Sequence, residues 1–139
     1  MRAIETAEII GGDFDGVPYE KSEDLRECYL ASPAFASVPV ELIQAGEKQA
    51  AAAFSKYLCP TPEDDKTEII VSHGNLIRYM AACVLGSPGS WLRMRTFNCG
   101  ITEIAIESDG RLWLVSHNDV GHLPAEFVTL GIPRPGRAY

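Results

Sequence analysis

Residues 69–78 read I-I-V-S-H-G-N-L-I-R, and the fold turns on how they are read. Residues 67–72 (T-E-I-I-V-S) form a short apolar, β-branched run and are expected to be a buried strand. His73 and Gly74 make a turn, and residues 75–85 are expected to be a helix stopped by Gly86 and Pro88. A strand that passes straight into a helix is the building unit of an α/β sheet, where ligands gather at the carboxyl ends of strands.

That junction carries chemistry. A helix start offers free N–H groups and a positive dipole end, which together favour an anion. Gly74 has no side chain, so a phosphate oxygen could approach its backbone closely. Asn75 is a good N-cap residue and could also donate a hydrogen bond outward. His73 could donate to a phosphate or stabilise charge on a phosphoryl group in transfer. A buried histidine tying two loops together fits the bare pattern equally well.

Working outward, residues 2–10 place Ala3, Ile4, Ala7 and Ile10 at helical spacing, and Gly11 and Gly12 end that helix. Residues 11–24 are acidic and turn-rich, with a short strand expected over residues 17–20. Residues 25–38 show no clean period and are expected to be an irregular loop, a usual carrier of function. Residues 39–58 are the strongest helix, with Leu42, Gly46, Ala50, Ala53, Phe54, Tyr57 and Leu58 on one face and Pro39 in the first turn. Pro60 and Pro62 stop it, and residues 63–66 read as a solvated polar connector. Residues 101–107 and 111–116 are expected to be strands joined by an S-D-G hairpin turn. The order of elements gives an α/β domain with a mixed sheet.

The 139 residues suit a single domain that buries its core without staples. Hydrophobic residues make up 46% and charged residues 22%, an ordinary globular composition. The net charge of −7 argues against nucleic acid or an anionic membrane as partner, although a local basic pocket can still hold a small anion. Cys28, Cys59, Cys83 and Cys99 form no C-x-x-C pair, so they read as separate thiols in a reducing compartment. No segment is apolar enough to span a membrane and no signal peptide is visible, so the residues read as a soluble, intracellular chain. His117, Asp119 and His122 lack metal-ligand spacing, and a polar loop is the better reading of H-N-D-V-G-H.

Three pieces in this order, R-A-I-E-T-A from Arg2, D-L-R-E-C from Asp24 and H-G-N-L-I-R from His73, resemble the histidine phosphatase (phosphoglycerate-mutase-like) superfamily. N-L-I-R-Y, W-L-R and N-C-G-I-T-E-I are similar to its mitochondrial serine/threonine phosphatases, and S-H-N-D-V-G-H-L-P resembles the superfamily's C-terminal stretch. The resemblance implies a three-layer α/β/α domain with a mixed, mostly parallel sheet. It implies phosphate binding by Arg2 and His73, with Asn75 as a backbone or side-chain contact. It implies that Glu27 is the acid/base that protonates the leaving oxygen, a role that suits a pocket carboxyl of raised pKa. His122 has two readings, a pocket-rim residue or a loop histidine packed on proline. No cofactor and no metal are implied. The expected partners are a phosphorylated protein (Ser/Thr) or a small phosphoester, and the expected setting is mitochondrial.

The superfamily's nucleophile sits in an R-H-G segment, and no R-H-G occurs in these residues. Residues 1–139 are therefore expected to be a partial domain, lacking the first strand and the R-H-G segment and ending in an extended tail over residues 125–139. The strand at residues 67–72 is expected to have an open edge that invites self-association. The parent enzyme would hydrolyse phosphoesters through a phosphohistidine, and this chain alone is expected to be inactive. The alternatives are a non-catalytic phosphate- or partner-binding pseudo-enzyme and a small-molecule phosphomutase or sugar-phosphate phosphatase.

Overall fold

The computed structural model describes residues 2–61 and 66–129. Three helices, α1 (Arg2–Gly11), α2 (Val40–Tyr57) and α3 (Gly74–Val84), accompany one antiparallel hairpin of β1 (Ile101–Ile106) and β2 (Leu112–Asp119). One-turn 3-10 helices punctuate the connections at Glu23–Leu25, Pro33–Phe35 and Ala125–Phe127, and a longer one spans Pro88–Arg93. Residues 62–65 of the expected connector and residues 130–139 of the expected tail lie outside the described residues.

The core forms where α2, α3 and the loop before α2 meet. Gly46, Ala50 and Ala53 are the buried positions of α2. These small side chains let the helix approach closely. A Cβ added at Gly46 would collide with the backbone carbonyl of Tyr29. From α3 come Leu76 and Met80, and from the following turn Trp91; Cys28 and Leu30 complete the cluster from the loop. Leu76 and Leu30 are almost wholly removed from solvent, and each such burial stabilises the fold by about 1.5–3 kcal/mol. Residues 27–30 alternate exposed and buried, an extended pattern within what reads as an aperiodic loop.

The hairpin forms as its sequence dictates. Ile106 pairs with Leu112, and Gly110 takes a left-handed φ of 86° that favours glycine. α3 lies against the hairpin. Asn118, also at positive φ, accepts a hydrogen bond from the backbone N–H of Phe97 at 2.7 Å and closes the approach to β1.

Several expectations need correction. Residues 17–20 form no strand, because no described strand lies alongside them and the Val17 N–H turns back to the Phe14 carbonyl at 3.3 Å; Val17 and Tyr19 stay exposed. Leu42 faces solvent, and the buried positions of α2 are Gly46, Ala50 and Ala53. Helix α3 starts one residue early: Gly74 is already helical, and the N-cap is His73, not Asn75. Residues 67–72 run extended but pair with no described strand, and Ile69 is 57% exposed. A strand is defined by its ladder, and here the backbone groups that would build one find no described neighbour. The incomplete α/β domain therefore carries, among the described residues, an antiparallel two-stranded sheet and not a mixed, mostly parallel one.

Candidate active site

The site is built on the junction of residues 67–72 and α3. His73 is extended (φ −117°, ψ 154°) and half-buried, and its ring caps nothing in the helix. The first N–H to return to the chain is that of Ile77, which donates to the His73 carbonyl at 3.0 Å. The N–H groups of Gly74, Asn75 and Leu76 find no acceptor among the described residues. A Cβ at Gly74 would lie 2.7 Å from Thr96 Oγ1, so a larger residue there would make that threonine move.

The loop bearing Glu27 is fixed by side chains from two separate parts of the chain. Gln49 of α2 donates to the carbonyls of Asp24 at 3.2 Å and Arg26 at 2.9 Å. Ser72 Oγ donates to the Leu25 carbonyl at 2.9 Å, and Asn75 Nδ2 to the Cys28 carbonyl at 3.2 Å. Almost every carbonyl around Glu27 is thus held, while its own carboxylate, exposed, has no hydrogen bond or ion pair among the described residues. Gln49 and Ser72 were not legible as site residues, because nothing local marks a side chain that binds a distant carbonyl.

Arg78 organises the other side. Its guanidinium donates to the carbonyls of Gly74 and Met94, both at 3.1 Å, and to Asn75 Oδ1, and it stacks 5.0 Å from the centre of the Trp91 ring. Burial lowers its pKa, the Glu27 carboxylate raises it and the Arg95 charge lowers it again. The Asn75 side chain is therefore committed at both ends within the protein. Its backbone N–H has no acceptor among the described residues.

Arg2, Glu27, His73, Asn75 and His122 all line one open cavity of about 2740 Å³. Arg2 is exposed at the first position of α1, which buries none of its residues. Its guanidinium, like the rings of His73 and His122, has no hydrogen-bond or ionic partner among the described residues. His117, by contrast, is structural: Nδ1 lies 3.1 Å from Thr102 Oγ1 and Nε2 lies 3.1 Å from the Arg95 carbonyl. Burial lowers its pKa, which keeps the ring neutral, with one nitrogen donating and the other accepting. Chemically, the cavity presents a cation, an imidazole, a helix start and a carboxylate. That set can bind a phosphoryl group and deliver a proton.

Comparison with known proteins gives a consistent result. The sequence model of the histidine phosphatase superfamily (branch 1) matches residues 31–120. The chain is 34% identical over 139 positions to the serine/threonine-protein phosphatase PGAM5, mitochondrial, of Mus musculus, covering 92% of this chain and 47% of that protein. It is 33% identical over 151 positions to the serine/threonine-protein phosphatase Pgam5, mitochondrial, of Drosophila mojavensis, covering 99% and 51%. Identity to the Homo sapiens PGAM5 is 34%, with coverages of 92% and 47%. The chain spans about half the length of the curated relatives it matches.

Proposed function

The chain belongs to the histidine phosphatase superfamily, and on that premise we propose that it supplies the phosphate-gripping and proton-donating half of a serine/threonine phosphatase site. Arg2 and His73 hold the phosphoryl oxygens, aided by the free N–H groups at the start of α3. Glu27 protonates the leaving serine or threonine oxygen. The single observation that carries this reading is that Arg2, Glu27 and His73 open onto one cavity and that their side chains have no hydrogen bond or ion pair among the described residues.

The relatives' names speak of serine/threonine phosphatases in mitochondria, and the same substrate class and setting are proposed for this chain. The nucleophile is a separate matter. The described histidines are His73, His117 and His122, and none stands in R-H-G. Phosphohistidine chemistry splits one displacement into two easier ones but needs an imidazole poised in line with the phosphorus. With His117 held by Thr102 and the Arg95 carbonyl, this chain alone is proposed to bind phosphate without turning it over. The outer edge of β1 and residues 67–72, which have no strand partner among the described residues, also support association between copies.

The test is calorimetry of the purified chain with phosphate and vanadate, alongside a p-nitrophenyl phosphate assay. Binding that weakens in Arg2→Ala and His73→Ala, without turnover, is expected. Turnover that disappears in His73→Ala would show that the chain is an enzyme by itself, and absence of any anion binding would remove the proposal.

A further inference from the structure

The 139 residues carry 12 Lys and Arg against 19 Asp and Glu, so carboxylate partners outnumber cations. Lys21, Arg26, Lys56, Lys66 and Arg111 each pair with one. Among the described residues, Arg2, Lys48, Arg78, Arg93 and Arg95 do not, and all of these except Lys48 line the candidate cavity. In a chain with surplus acid, cations left unneutralised on one cavity mark where an anion from outside is received.

Arg2 and Arg78 already have parts in the site. Arg95 does not, and it is the best positioned of the remainder. Its backbone is fixed on both sides. The carbonyl of Met94 accepts from Arg78 Nη1, and that of Arg95 from His117 Nε2. The next residue, Thr96, lies against Gly74 at the start of α3. Arg95 lines the same cavity, and its side chain is exposed and unpartnered among the described residues. Arg93, two positions earlier, is exposed on the same cavity.

We propose that Arg95, assisted by Arg93, is a specificity residue that receives a second anionic group of the substrate, so that the site takes a phosphorylated polypeptide segment with acidic side chains beside the phosphorylated residue. The proposal rests on the phosphate-binding reading of the same site. Arg95 touches the flanking acid and not the phosphoryl group, so it sets which phosphoprotein binds and leaves the phosphate grip unchanged.

Fluorescence anisotropy with the full 139-residue chain tests this, using three labelled peptides: phosphoserine flanked by glutamates, phosphoserine flanked by alanines, and the unphosphorylated glutamate peptide. The acidic phosphopeptide is expected to bind about two- to fivefold more tightly than the alanine one, the range for an exposed ion pair. Arg95→Gln, with Arg93→Gln added, should erase that advantage while leaving the alanine phosphopeptide's affinity unchanged; Arg95→Lys should keep part of it. Equal affinity for the two phosphopeptides, or an advantage that survives the double variant, overturns the proposal. If neither phosphopeptide binds, or phosphorylation makes no difference, the phosphate-binding reading fails first and takes this one with it.

Discussion

Asn75 reaches back across 47 positions of sequence to donate its side-chain amide to the carbonyl of Cys28, 3.2 Å away. That bond joins the first turn of α3, where phosphate is proposed to bind, to the loop that carries Glu27. Because Arg78 holds the other end of the same side chain, a single buried amide sets the spacing between the proposed anion cradle and the proposed acid.

Asn75→Ala is accordingly expected to destabilise the chain by about 1–3 kcal/mol, the usual loss when buried hydrogen-bond partners are stranded. Urea denaturation followed by circular dichroism measures it. A change below a few tenths of a kcal/mol would mean that the amide does not hold the two segments together.

Gly46→Ala tests the helix contact. At a solvated helix position the change gains about 1 kcal/mol of propensity. Here the new methyl group meets the Tyr29 backbone carbonyl, which has no rotamer to move. Overpacking typically costs about 1–3 kcal/mol and should win. A lowered melting temperature is expected, and an unchanged or raised one would show that α2 and the loop are not in contact.

Burial, followed by the charge of Glu27, pushes the Cys28 thiol up to about 11. Thiolates react and thiols do not. At mildly alkaline pH, iodoacetamide should modify the exposed Cys59 and Cys99 and leave Cys28 untouched until denaturant is added. Mass spectrometry of the native protein reads the result; early alkylation of Cys28 contradicts its burial. The same shift makes the folded state lose stability as pH rises from about 9 to about 11, since the unfolded thiol ionises first.

His117 gives the opposite dependence. Its folded pKa lies below the ordinary 6.5. As pH falls through 6.5 the unfolded chain takes up the proton first, so stability is full above that value and declines until the folded ring also protonates. Urea midpoints should drop as pH falls below the ordinary histidine value of 6.5. His117→Gln should flatten that slope, whereas a slope that is the same in both proteins assigns the effect to other groups.

The open edge of β1 predicts association that depends on concentration. Sedimentation velocity should show species larger than a monomer at high protein concentration. Thr102 and Ile104 lie on that strand, and Ile104→Pro should shift the distribution toward monomer, because proline removes a backbone donor. A monomer at all concentrations would dismiss the edge as an interface.

Local pattern was enough for three helices and the hairpin. Their signals lie within a few residues of one another: apolar spacing over residues 40–57, a strand-like run followed by glycine at residues 73–74, and a glycine turn between two β-rich segments. The motifs that nominated Arg2, Glu27 and His73 were also local, and these residues open onto the same cavity. Gln49 and Ser72 were not nominated, because each binds a carbonyl far away in sequence; Arg78 was not, because its reach to Met94 and Trp91 appears only in the fold; and Arg95 was not, because no motif marks it.

The sequence by itself determined which residues carry charge, which stretches can be helical and where a histidine meets a helix start, since these follow from residue type and period. Only the tertiary structure decided that residues 67–72 find no described strand to pair with, that the Asn75 side chain is engaged internally and that Thr96, next to Arg95, lies against Gly74. Each of those depends on which backbone or side chain arrives from elsewhere, and hydrogen-bond partners across tens of residues leave no trace in local periodicity.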